Sequence, residues 1–163
     1  MTKPRRRRDS PPPSTGAGER DVLVGFLDYL RTSIATKAED APEPDARTPG
    51  VPSGTNLLGL IRHVTHVERY TFLGQDVTDW PATFRVPADE SAEDVLAAYR
   101  DAVAEANEVI AACADLTEPT RRPASRRKAP SMRWALTHMI EETGRHAGHA
   151  DILRELIDGQ TGR

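Results

Sequence analysis

At 163 residues the chain is long enough for one domain that buries about two-thirds of its extended surface. A formal charge of -3 with 29% charged residues gives no global field to draw it onto nucleic acid or anionic lipid. Cys113 is the only cysteine, which excludes an internal disulfide and a cysteine-based zinc cluster, and no segment approaches the roughly 20 apolar residues of a membrane span.

Residues 1–18 combine Arg5 to Arg8 with Pro11 to Pro13. Such a composition cannot bury enough apolar area to offset the entropy of ordering, so a disordered tail is expected. No aromatic residues are interleaved for base stacking, and a nucleic-acid role is not expected of it. A cytoplasmic location fits the lone cysteine, with Cys113 a small buried hydrophobe.

Residues 19–163 form the expected helical domain. From Arg20 to about Lys37, Val22, Leu23, Phe26, Leu27, Leu30 and Ile34 recur at three- and four-residue steps, which predicts an amphipathic helix. "EDAPEPDARTPGVPSG" is a connection by its proline and glycine content, with Ser53 or Thr55 as cap for a second helix over Asn56 to Gly74. "QDVTDWPATFRVPADE" follows, with "ATFRV" as a short extended piece, and ends at the cap Ser91. The third helix runs from Ala92 to about Ala114, and "DLTEPTRRPASRRKAP" leads to Ser131 and a fourth that stops near Gly159. The expected fold is all-α, a four-helix bundle with long connections.

On the fourth helix Leu136, Met139, Ile140, Ala147, Ala150, Leu153 and Ile157 share one face. At 100° per residue His146 lies roughly 50° from its centre, Glu142 roughly 90° and His149 roughly 110°. On the second helix Leu57, Leu60, Ile61, Val64 and Val67 point inward, His63 sits at the edge of that face and His66 nearly opposite. Glu142 and His146, one turn apart, can converge on a single ion, and His63 is the candidate third ligand. Two histidines and one carboxylate leave coordination positions open, which is the pattern of a catalytic metal site. His149 is a fourth ligand or a proton shuttle, and His138 is solvated or an outer partner. The competing interpretation is a wet helix surface, because Glu and His four apart are common there and periodicity does not bring the two helices together. Tyr70 is expected to fill the core in preference to lining the metal pocket, Trp80 and Trp134 to pack at connection ends, and Glu68 and Arg69 to pair with other helices.

"VPSGTNLLGLIRHVTHVERYTFLG" and "SMRWALTHMIEETGRHAGHADILRELIDGQTG" resemble the mini-circle-protein branch of the DinB-like superfamily, related to the N-terminal domain of mycothiol-dependent maleylpyruvate isomerase. The resemblance covers residues 20–162 and implies a four-helix bundle with a long crossover and a divalent-metal site, usually zinc or nickel. By position it implies ligands at His63 in "LIRHV", at Glu142, where many members carry histidine, and at His146. It also implies a small-molecule substrate, with mycothiol as thiol cosubstrate in some members, and a homodimer.

Three functions follow from these readings. One is a metal-dependent thiol S-transferase or isomerase, with thiolate formation at the open position and His149 as proton acceptor. Another is a hydrolase using metal-activated water. The third is a non-catalytic stress-related protein that contacts nucleic acid through Arg5 to Arg8 and residues 121–128.

Overall fold

The computed structural model describes residues 10–14, 16–123 and 128–162. Arg5 to Arg8 and most of the expected disordered tail lie outside these residues, as do Arg126 and Arg127 of the basic connection. Four long helices organise the chain: α1 (Glu19–Ala38), α2 (Leu57–Glu68), α3 (Ala92–Ala112) and α4 (Met132–Asp158). Among the described residues there is no β-strand, and an isolated antiparallel bridge joins Pro119 to Ser131.

Side chains close the helix ends. Asn56, not Ser53 or Thr55, caps α2, because its carboxamide oxygen accepts from the Gly59 N–H at 2.8 Å. Ser91 and Asp94 form a reciprocal capping box at α3, and the Ser131 hydroxyl accepts from Trp134 N–H at α4. Two arginines serve the other ends from neighbouring helices. Arg20 of α1 donates to the Ile110 and Cys113 carbonyls at the end of α3, at 2.7 and 2.6 Å. Arg154 of α4 donates to the Lys37 and Glu39 carbonyls at the end of α1, both at 2.7 Å. Each places a cation where a helix dipole is negative.

α1 packs most extensively against α4 and α2 against α3, while α2 also touches α4. The last contact is what the sequence left open. One buried cluster gathers Ile34, Leu57, Ile61, Val64, Tyr99 and Leu153, and a second gathers Leu27, Phe72, Ile110, Met132, Leu136 and Met139. The second helix extends past Glu68 as a wider π-helical turn, Arg69–Leu73, and stops at Gly74 with φ 73°, a left-handed conformation that suits glycine.

Three further expectations need correction. "ATFRV" is not extended: Pro81–Phe84 is a 3₁₀ turn, started by the Asp79 carboxylate accepting from Ala82 N–H and by Pro81 at its first position. Tyr70 is half-buried, edge-on to Trp80 at 5.1 Å, and is outside both apolar clusters. It lies in the wider turn Arg69–Leu73, where the rotation per residue differs from that of α2. Trp134 stands where the connection meets the first turn of α4, as expected, 45% exposed, with its ring against His138 and the Arg122 guanidinium. Cys113 is only partly buried, because it ends α3 and its thiol turns back to the Asp115 carbonyl.

Candidate metal centre

The α2–α4 contact brings three side chains together from far apart in the chain. His63 Nε2 lies 3.3 Å from Glu142 Oε1, and His146 Nε2 lies 3.0 Å from the same oxygen. Each residue offers one ligand atom, and the three atoms fall within 4.8 Å of one another. Donors of a tetrahedral site with bonds of about 2.0–2.2 Å stand roughly 3.3 Å apart, which the two distances to Glu142 Oε1 match. Both histidines are buried and Glu142 is half-buried, and the His63 and His146 ring centres lie 4.9 Å apart.

The turn Pro81–Phe84 fixes His63 from the other side. Thr83 Oγ1 donates its one proton to the Trp80 carbonyl at 2.6 Å, so towards His63 Nδ1, 2.7 Å away, it acts as acceptor. His63 therefore carries its proton on Nδ1 and directs the Nε2 lone pair at Glu142. Phe84 stacks on the same imidazole at 3.8 Å and 12°. Gly59 makes this approach possible: it lies one turn before His63 on the same helix face, and a Cβ there would stand 2.3 Å from the Phe84 carbonyl oxygen.

Burial holds the His63 imidazole down to about 4, against the hydrogen bond and charge of Glu142, which act the other way. His146 is lowered by the same cause, again opposed by Glu142, and its Nδ1 is buried without a hydrogen bond. Burial pushes the Glu142 carboxyl up, but the charge of His146 and the hydrogen bonds that the two imidazoles offer when protonated outweigh it, and the net shift is downward. Near neutral pH the cluster is one carboxylate and two neutral imidazoles. A lone pair of His63 and a carboxylate oxygen then face each other at 3.3 Å, an arrangement that repels unless a cation lies between them. The donor set thus fits a divalent ion of mixed nitrogen and oxygen preference, with positions left for another ligand.

Two outcomes follow. Thr83→Val, which leaves the His63 Nδ1–H without an acceptor, should weaken metal affinity roughly 10–100-fold, measured by competition with a chromophoric chelator. Metal-free protein should lose stability as pH falls from the ordinary histidine value of 6.5 towards about 4, since the unfolded chain takes up a proton that buried His63 resists. Thermal unfolding in acetate and MES buffers reads this directly, and a His63→Phe variant should show a smaller decline.

The other expected residues sit apart. His149 is exposed outside the convergent group, with its ring edge-on to His146 at 5.6 Å. His138 stacks on Trp134 at 4.8 Å and faces Glu141 at 3.6 Å, and His66 is half-buried away from the cluster. Glu68 pairs with Arg31 of α1 in the interior. Sequence periodicity missed Thr83, Phe84 and Trp80. The signal available for them was "DWP", an acid and a proline one residue apart, which reads as a helical turn start and not as a strand. Trp80 and Phe84 also line a cleft of about 880 Å³ with Arg47 and Asn56, which includes none of the three ligand candidates.

No helix among the described residues is long and apolar enough to cross a membrane. A family model described as mycothiol S-transferase matches residues 22–159, and the search of curated proteins gives no match.

Proposed function

Since the chain belongs to the mycothiol S-transferase family, we propose that it transfers a low-molecular-weight thiol of the mycothiol type to an electrophile, using a divalent metal, zinc or nickel, held by His63, Glu142 and His146. The observation that carries this is the convergence of two neutral imidazole nitrogens and one carboxylate oxygen, with the His63 lone pair aimed inward by Thr83. When bound, the ion supplies the Lewis acidity that favours the thiolate of the cosubstrate at neutral pH.

The chain's own groups do the rest. Thr83 and Phe84 hold the His63 ring in one orientation, and Glu142 contributes the single negative charge of the ligand set. His149, exposed and in edge contact with His146, accepts the proton that the thiol loses and passes it to water. The helix contacts run α1 to α4, α4 to α2, α2 to α3 and α3 back to α1, which supports a four-helix bundle of the DinB-like type. We extend the proposal to a homodimer, supported by Ile152 and Leu156, exposed one turn apart on α4, and to the cytoplasm, where a thiol cosubstrate stays reduced.

The test is conjugation of mycothiol to monobromobimane by metal-loaded protein, followed as bimane fluorescence. Wild type should accelerate the reaction, His146→Ala should not, and His149→Gln should lower kcat with metal content unchanged. Metal-loaded protein that leaves mycothiol untouched yet hydrolyses p-nitrophenyl acetate at the same three residues would replace thiol transfer with hydrolysis.

A further inference from the structure

Trp134, His138, Glu142 and His146 follow one another at four-residue steps and form a single stripe along α4. The first half of that stripe lies beyond the metal centre. A series of ring and cation contacts nevertheless connects the two. The Arg122 guanidinium carbon lies 5.2 Å from the Trp134 ring centre and 5.0 Å from that of Tyr70. Tyr70 meets Trp80 at 5.1 Å, and Trp80 meets His63 at 6.0 Å.

Arg122 differs from the other arginines that are at least partly buried. Among the described residues, Arg20, Arg31, Arg47, Arg62, Arg69 and Arg154 each donate to a carbonyl or carboxylate. Arg122 is half-buried and has two cation–π contacts, with no side-chain hydrogen bond or ion pair to any described residue. Contact with a ring face orients a guanidinium but leaves its in-plane N–H donors unused. The nearby acids are engaged elsewhere: Glu141 faces His138, and Glu142 faces His63 and His146. A partly desolvated, oriented cation with unused donors is a receptor for a planar anion, and the fork of a guanidinium matches a carboxylate.

We propose that Arg122, oriented by the Trp134 and Tyr70 rings, binds the carboxylate of the electrophilic substrate. From Trp134 to Glu142 is eight residues of helix, roughly 12 Å at 1.5 Å per residue, so the substrate is elongated, with its reactive end towards the metal centre and its carboxylate at Arg122. Only that direction rests on the proposed thiol transfer; carboxylate recognition by Arg122 does not depend on it.

The experiment titrates benzoate and its neutral isostere benzamide into wild type, Arg122→Gln, Arg122→Lys and His146→Ala, reading tryptophan fluorescence, with metal content measured in each. Wild type should prefer benzoate at least ~10-fold, as a charge-assisted paired hydrogen bond implies. Arg122→Gln should lose the preference while keeping its metal, and Arg122→Lys should lose most of it because an ammonium lacks the fork. His146→Ala should retain it. Benzoate binding that survives Arg122→Gln but disappears in His146→Ala would put the carboxylate on the metal and overturn the proposal, as would no preference in wild type. Wild type that holds no metal but prefers benzoate through Arg122 would reject the metal centre and leave this subsite standing.

Discussion

Glu68→Ala is expected to destabilise the protein by about 3–5 kcal/mol, the cost of leaving a buried charge without its partner. Arg31 is only 3% exposed and Glu68 is fully buried, and the two share a pair of hydrogen bonds at 2.7 and 2.6 Å. Burial raises the Glu68 carboxyl and outweighs the opposing pull of Arg31, whereas at Arg31 burial is outweighed by the attraction and hydrogen bonds of Glu68, with the hydrogen bond of Asp28, and the guanidinium is held charged. Removing Glu68 leaves Asp28 and Asn107 on one arm of Arg31 at 2.8 Å each, and the Nε side without an acceptor. Urea unfolding of Glu68→Ala, of Arg31→Met and of the double variant Arg31→Met/Glu68→Leu checks the mechanism. The double variant should recover most of the loss, because an apolar pair of similar volume carries no desolvation cost. The pair also joins α1 to α2 five residues after His63, so it helps set the position from which His63 faces α4.

Glu142→Gln should weaken metal binding by more than the roughly 10–100-fold that an outer partner costs, and abolish thiol conjugation. The exchange keeps the shape of the side chain and removes its charge. Between two neutral imidazoles it leaves an uncharged site, where wild type offers one negative charge and two nitrogens. Stability should change little or improve, since Glu142 is half-buried and its loss removes a desolvated carboxylate. Isothermal titration with zinc and nickel, alongside thermal unfolding, separates lost affinity from lost fold.

Helix periods carried the architecture because apolar residues at three- and four-residue steps have one stable solution, burial along a stripe. α1, α3 and α4 lie within two residues of their expected ends. The angles of His63, Glu142 and His146 to the inward stripes could be counted in the same way, and the family resemblance implied the same positions, but their convergence depends on the α2–α4 contact, which periodicity does not supply. What could not be counted was anything set by a connection. Thr83 fixes the proton on His63, yet it lies 20 residues away in a turn whose approach depends on the missing Cβ of Gly59. Tyr70 lies in a π-helical turn, whose rotation per residue differs from the 100° of an α-helix, so helix periodicity does not place it.

The most direct measurement of the central claim is elemental analysis of untagged protein, purified without added metal and then reloaded with zinc or nickel, in wild type and in His63→Ala, Glu142→Ala and His146→Ala. About one equivalent in wild type and its loss in each variant, all remaining folded by circular dichroism, is the predicted result. Folded wild type that holds no divalent ion after reloading, or variants that keep it, would contradict the account and leave the three residues a polar contact between α2 and α4.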